Sequence, residues 1–411
     1  MDSESSVHDL ELSAECAVVG GLRCDAPNPG VRNIERPLTI TLLFLRLGLT
    51  AFGGPAAHIA MMRHEFVTRR EWLTDRRFLD LLGVTNLIPG PNSTEMAIHL
   101  GRERAGWRGL VGAGVAFIAP AAVMVSVLAW VYVEFGSTPA VTWVLYGVKP
   151  VVIAIVAQAI WGLGRVVVRR WQTALLAAGV IALGLLGVNE LVLLFGGGAV
   201  GAVLQRPRWL TGRLSGVLVA PLASVGVVGA VPTTFSLLGM ALLFLKIGAV
   251  LYGSGYVLLA FLRADFVERM GWLTETQLLD AVAIGQVTPG PVFTTATFIG
   301  FLLAGVPGAV VATVAIFLPS FVFVAAVHPL VERLRASSIT APILDAVNAA
   351  AVGLMTVVMV LLGRSALVDL PTILVALVAL GVLIFAKVNS LWLILAGAAV
   401  GAVVQGVGLA P

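Results

Sequence analysis

Two apolar stretches of this chain are interrupted by the same helix-breaking tripeptide. Residues 86–101 read NLIPGPNSTEMAIHLG, and residues 286–300 read QVTPGPVFTTATFIG, so the two Pro-Gly-Pro sequences lie 200 positions apart. Proline has no N–H and its ring clashes with the preceding helical turn, so neither stretch continues as one helix. Apolar runs of about 20 residues, long enough to cross a bilayer, recur from Leu38 to Ala410. The breaks therefore fall where lipid offers no partner to a freed N–H or C=O, and they must face protein or a water-filled cavity. Only 12% of the 411 residues are charged and 59% are hydrophobic, against roughly 25% charged in an average soluble domain. The fold class is an all-α polytopic membrane protein with no large soluble domain.

Internal comparison shows a duplication, a frequent mark of transporters. LLFLRLGLTAFGG (42–54) matches LLFLKIGAVLYGS (242–254), EFVTRREWLT (65–74) matches DFVERMGWLT (265–274), and Asp80 matches Asp280. After a one-residue slip the register runs through Gly101/Gly300, Gly106/Gly305 and Pro120/Pro319, closing with VNELVLLFGGGAVGAV (188–203) against VNSLWLILAGAAVGAV (388–403). The expected organisation is a disordered cytoplasmic tail over 1–37, a first repeat over 38–213, a linker transmembrane helix over 214–235 and a second repeat over 236–411. One added crossing inverts the second repeat. Basic residues agree: in the first half the loops at Arg63 to Arg77, Arg102 to Arg108, Arg165 to Arg170 and Arg206 to Arg213 are rich in arginine and 134–140 has none, whereas in the second half the counterpart of 134–140 carries Arg333 and Arg335 and the counterpart of 102–108 carries no charge. Because 63–77 and 102–108 are both basic, the segment between them is expected to enter and return. Each half then has two broken, re-entrant helical hairpins and four crossings, with thirteen full crossings as the rival. The N-terminus is expected in the cytoplasm and the C-terminus in the periplasm.

A half-helix that starts past a break presents free N–H groups and the positive end of its dipole, an anion site. Pro89, Gly90 and Pro91, followed by Asn92, Ser93 and Thr94, are the first such candidates, and Pro289, Gly290 and Pro291, followed by Thr294, Thr295 and Thr297, the second. Gly53, Gly54 and Pro55 in one first hairpin, and Gly253, Ser254 and Gly255 in the other, have the same character. Kinking or close helix packing is the structural alternative for such residues. Arg46 and Lys246, equivalent cations ahead of the first breaks, suit a doubly charged oxyanion, or they snorkel to water. Lys149, opposite Asn348, is a further cation that could line the path. Glu95 and His99 share a helical face and form either a proton relay or a structural pair. The second half has Ala296 near the Glu95 position and no histidine there. Asp80 and Asp280 are expected to cap the helices of the second hairpins. Cys16 and Cys24 lie in the tail without histidine spacing, so no metal site and no cofactor are expected, and the charge of +4 is a topology signal with no bearing on nucleic acid.

At FGGPAAHI (52–59), EFVTRREWL (65–73), NLIPGPNSTEMAIHLG (86–101), GWLTETQLLDAVAIGQVTPGPVFTTATFIG (271–300) and IFLPSFVFV (316–324) the chain resembles the chromate transporter (CHR) family in its long, two-domain form. The resemblance spans residues 38–405. It implies a bacterial inner-membrane protein that exports chromate and confers chromate resistance, with efflux driven by the membrane gradient through proton exchange, as an antiporter. It also implies sulfate, a tetrahedral dianion of like size, as competitor or cargo. The residues themselves speak for an anion and an inverted repeat; only the resemblance speaks for chromate. Gly253-Ser254-Gly255 departs from the Gly-Gly-Pro of the first half.

The expected activity is secondary active oxyanion transport out of the cytoplasm by alternating access, with a passive oxyanion channel or a sulfate importer as alternatives. An enzyme is not expected, since no haem, flavin, iron–sulfur or metal-ligand pattern is visible. The partners expected are chromate or sulfate, the lipid bilayer and, by default symmetry, a second copy in a homodimer. Pro91→Ala would let helix run through the first break and is expected to impair transport, as read by anion flux.

Overall fold

The structure is a computed structural model that describes residues 36–52, 54–136, 138–167, 170–205, 234–252, 255–331, 340–386 and 388–406. The tail with Cys16 and Cys24, nearly all of the linker over 214–235, Gly53, Gly253, Ser254 and the arginines at 206–213 and 333–335 lie outside them. All regular structure among the described residues is helical.

The first half begins with α1 (Pro37–Thr50), which has proline at its first turn, where a missing N–H is harmless. After a break come α2 (Gly54–Arg63) and a π-helical turn (His64–Arg69). Next, α3 (Asp75–Thr85) leads to the Pro-Gly-Pro break and α4 (Asn92–Phe135) leaves it. Three helices complete the half: α5 (Pro139–Val167), α6 (Trp171–Leu185) and α7 (Gly197–Gln205). The second half repeats the order with α8 (Leu237–Val250), α9 (Leu258–Leu262), α10 (Glu275–Val287), α11 (Thr295–Val327), α12 (Thr340–Ala366), α13 (Leu370–Phe385) and α14 (Ser390–Gly406). The second hairpins are capped by Thr74 and Thr274, whose hydroxyls accept from the N–H of Arg77 and Gln277. Asp80 and Asp280 sit mid-helix, so the expected capping role belongs to those threonines, which precede the helical run as a cap must.

The one-residue slip between the repeats has a local cause. The helix past the first Pro-Gly-Pro is α-helical from Asn92, whereas the one past the second opens with a 3₁₀ turn, Val292–Thr294. Three residues of 3₁₀-helix advance about 6 Å, as far as four residues of α-helix. The second half thus covers the same length with one residue fewer.

Neither α4 nor α11 is one continuous rod. Each folds back at an Ala-Gly pair: Ala105 (φ −138°, ψ 22°) with Gly106 (φ 60°, ψ −145°), and Ala304 (φ −149°, ψ 25°) with Gly305 (φ 62°, ψ −150°). The glycine conformation is nearly closed to other residues. On either side the arms touch through backbone: a Cβ on Gly101 would lie 2.3 Å from the Gly109 carbonyl oxygen, and one on Gly300 would lie 2.3 Å from that of Gly308. The segment between the break and this turn is therefore a short helical arm of 92–104 or 295–303, and the long arm after it is the apolar helix. Among the described residues, four helices are long and apolar enough to cross a membrane, at Asn92–Phe135, Pro139–Arg165, Val292–Leu330 and Leu344–Ala366. On the long arm of α11, Val306, Val310, Val314, Leu318 and Val322 form an exposed stripe four residues apart, which spans about 24 Å and suits lipid.

The halves are interleaved. Gly397 and Gly401 of α14 pack backbone to backbone on Gly147 of α5, where a Cβ would come within 2.0 Å of the Gly397 oxygen. Equivalent Gly197 and Gly201 of α7 meet Ala350 and Ala346 of α12. Small residues four apart let membrane helices approach closely, and here the last helix of each half uses them to clasp the other half. Gly101→Val or Gly300→Val is expected to destabilise the protein by about 1–3 kcal/mol or more, the usual cost of overpacking. Gly363→Ala, where nothing lies within 4 Å, is expected to be neutral or to stabilise by up to about 1 kcal/mol. Thermal unfolding of the detergent-solubilised variants reads both.

Candidate functional site

The chain breaks of the two halves are tied to each other across the repeat boundary. The N–H of Gly90 donates to the Leu251 carbonyl at 2.8 Å, and the N–H of Gly290 donates to the Ala51 carbonyl at 2.8 Å. Leu251 and Ala51 end the first helices of their halves, so each Pro-Gly-Pro is pinned to the first break of the opposite half. The Ala51 oxygen also takes a bond from His58 Nε2 at 2.9 Å. A carbonyl only accepts, so that ring carries its proton on Nε2. The His58 ring is buried and meets Phe117 edge to face at 5.6 Å. Sequence reasoning passed over His58; a lone histidine just after a break, where freed carbonyls need donors, was the available signal.

Beside this crossing lies a cavity of about 530 Å³. Gly54, Pro55, Pro91, Asn92 and Ser93 reach it from the first half, Gly255 and Val292 from the second, and Gln158 of α5 and Asn348 of α12 form part of its walls. Four helix or 3₁₀ starts thus converge on one space. Gly54 has φ +78°, a conformation that glycine adopts without strain. In α4 the first internal bonds run from Thr94 N and Glu95 N to the Pro91 carbonyl, at 2.8 and 3.0 Å. The N–H groups of Asn92 and Ser93 precede them and are among those a helix start leaves over. The Asn92 amide donates to Asn86 Oδ1 at 2.7 Å, which orients it at the cavity edge. Among the described lining residues there is no acidic or basic side chain, so the helix starts set the sign of the potential, and that sign is positive.

Other expected site residues go elsewhere. Thr294 and Thr295 donate their hydroxyl protons to the carbonyls of Pro291 and Val292, at 2.9 and 2.8 Å, and Thr297 pairs with Thr313 at 2.7 Å. Pro89, Gly90, Pro289 and Gly290 are buried in the crossing itself. Lys246 forms an ion pair with Asp265, which also binds Arg269. Arg46 lines a separate cavity of about 410 Å³ with His64 and Glu65. Lys246 therefore binds the acid at the end of its own hairpin, whereas the equivalent acid of the first hairpin, Glu65, binds Arg69 and Arg70 and shares only the lining of that cavity with Arg46. Lys149 binds Asp280 at 3.2 Å, and Tyr132 donates to the same carboxylate at 2.9 Å; it does not line the cavity. Glu95 and His99 are buried on the short arm of α4. The Glu95 carboxylate lies against Gly90 and the Ser320 hydroxyl, and His99 Nδ1 lies 3.0 Å from His328 Nδ1.

The chromate transporter family pattern matches the chain twice, over residues 38–202 and 238–402. The chain belongs to the chromate transporter family. It is 35% identical over 368 residues to the chromate transport protein of Cupriavidus metallidurans, covering 88% of this chain and 91% of that one. It is 36% identical over 351 residues to a probable chromate transport protein of Synechococcus elongatus, covering 83% and 88%. With the chromate transport protein of Pseudomonas aeruginosa it shares 35% identity over 325 residues, 76% and 77% of the two chains. No solved structure matches the chain. In this family member the paired matches coincide with the paired breaks, and its apolar helices make it a multi-pass membrane protein.

Gly90 gives the sharpest test of the crossing. Its φ is +138°, and a Cβ there would fall 2.2 Å from Glu95 Oε1 and 2.6 Å from Ser320 Oγ. Gly90→Ala is expected to abolish anion flux and to lower stability by about 1–3 kcal/mol, seen as a lower unfolding temperature of the purified protein.

Proposed function

We propose that this chain exports chromate from the cytoplasm across the bacterial inner membrane by secondary active transport, with sulfate as a competing tetrahedral dianion. The observation that carries the proposal is the cavity where four helix starts meet without an acidic side chain among the described lining. Oriented N–H groups and helix dipoles favour an anion there, and a carboxylate would repel one. The cargo is taken from the chain's relatives, which are chromate transport proteins. Two inverted halves rocking about the crossing would open the cavity to one side and then the other. On this reading the arginine-rich 63–77 and 102–108 face the cytoplasm, the N-terminus is cytoplasmic, and chromate leaves as protons enter. Resistance to chromate follows from lowering its cytoplasmic level.

The deciding experiment is uptake of radiolabelled chromate by inverted membrane vesicles energised in the export direction, with the pH gradient and the potential collapsed separately. Gradient-dependent accumulation that excess sulfate suppresses is the expected result, and its absence would remove chromate as cargo. Ser93→Asp, which sets a carboxylate at the helix start, is expected to raise the KM for chromate by about tenfold or more, equivalent to at least about 1.4 kcal/mol.

A further inference from the structure

Behind the crossing, away from the cavity, a line of titratable side chains runs from the short arm of α4 to the protein surface. His99 Nδ1 lies 3.0 Å from His328 Nδ1, a contact between the two halves. His328 Nε2 lies 3.4 Å from Glu103 Oε2. Glu103 in turn takes two bonds from Arg77, at 3.1 and 3.0 Å, and its side chain is 23% exposed. At the inner end, Glu95 is fully buried, and neither of its oxygens completes a hydrogen bond of good geometry.

One assignment of protons fits these contacts. A carboxylate only accepts, so His328 carries its proton on Nε2 toward Glu103. Its Nδ1 in the neutral ring then accepts, and His99 must donate from Nδ1. The lone pair that this leaves on His99 is on Nε2, which is buried and has no partner. A buried unpaired acceptor costs about 1–3 kcal/mol. Glu95 stands one helical turn away on the same face, where Cβ atoms are about 5–6 Å apart, so a carboxyl proton there can reach the ring by a change of rotamer.

We propose that Glu95, His99, His328 and Glu103 form a proton path that joins the chain crossing to the face bearing the 102–108 turn. The inference rests on the reading of the chain as a gradient-driven exporter and names its proton route. The protonated Glu95 carboxyl gives its proton to His99 Nε2. His99 releases the proton on Nδ1 to His328 Nδ1, His328 releases the one on Nε2 to Glu103, and Glu103 passes it to water. One proton enters the line, one leaves, and both rings stay neutral before and after; tautomer exchange resets them. Other polar and charged groups fit passage better than storage. Arg77 on α3 acts on both rings and Arg102 on α4 acts on His328, and their positive charge repels a proton that lingers there, while Glu103 draws it outward from His328. Ser320 on α11 and Tyr252 at the first break of the second half stand beside Glu95. The path is one-sided, since the positions equivalent to His99 and His328 are Phe298 and Ala129.

The test uses full-length protein in proteoliposomes and two readouts: exchange of labelled for unlabelled chromate without a gradient, and accumulation driven by a pH gradient. Wild type is expected to do both. His99→Gln and His328→Gln are expected to keep exchange within about twofold of wild type and to lose most pH-driven accumulation. The double variant is expected to be no worse than either single one, because the groups act in series. Full pH-driven accumulation in both single variants would overturn the path. Loss of exchange in variants that elute and melt like wild type would also overturn it, by assigning the histidines to cargo binding or to the scaffold. A wild type that exchanges chromate but ignores the pH gradient would sink the proton-driven reading and the path together, and one that does neither would sink the chromate reading itself; both failures appear in the wild type, before any variant is compared.

Discussion

The architecture depends on two backbone hydrogen bonds, from Gly90 to Leu251 and from Gly290 to Ala51. A chain that breaks its helices inside a hydrocarbon layer must find partners for the freed groups or lose several kcal/mol for each. Here each break finds its partner in the break of the other half, so neither half can satisfy its own backbone alone. The interleaving of α14 on α5 and α7 on α12 extends the same dependence to packing. Glycine is required at the centre of each crossing for two reasons: the φ of Gly90 and Gly290 is positive, and the nearest side chains, Glu95 and Ser320 or Ala121, leave no room for a Cβ.

Much of this was legible in the sequence, because breaks and repeats are local patterns. The helix interruptions and the duplication follow from proline, glycine and the 200-residue offset, whereas Gly106 and Gly305, read from the sequence only as matching positions of the two repeats, prove to be the sites where the helices past Pro-Gly-Pro are interrupted again. The destinations of charged side chains were much less legible. Arg46 and Lys246 stand at equivalent positions ahead of breaks, yet Lys246 binds the acid that follows in its own hairpin and Arg46 lines a separate cavity, destinations that require knowing how each hairpin closes. Asp280 reads as a cap from its place near a helix start, but its partner Lys149 is 131 positions away. His99 and His328 are separated by 229 residues, and no periodicity links such a pair. Glu95 and His99, four apart, share a helical face by spacing alone, but their neighbours Ser320 and His328 come from the other half of the chain.

The two halves share a scaffold and divide the chemistry. His58 supports one first break where the other half has Leu258, Lys149 is matched by Asn348, and the Glu95–Ser320 contact at Gly90 is replaced by Ala121 at Gly290. On the alternating-access reading proposed above, a duplicated scaffold would suit alternation, since outward and inward arrangements built from equivalent contacts would have similar energy. Unequal side chains then bias that balance, because a ligand or proton shifts an equilibrium only through differential affinity for the two states.

The proposed oxyanion site is consistent with a cavity that has no full charge among its described lining. At 4 Å a unit charge pair is worth about 4 kcal/mol at an effective dielectric constant of 20, and a dianion would double that for every fixed cation. Two lysines in contact would hold such a cargo too tightly for it to leave at a useful rate. Helix starts carry only about half a charge each, so several of them can orient and attract an oxyanion while keeping release within reach. The lysines are present in the bundle, but Asp265 and Asp280 neutralise them away from the cavity. Their ion pairs hold helices of the bundle together, and on the proposed reading the cargo would meet only partial charges on the backbone.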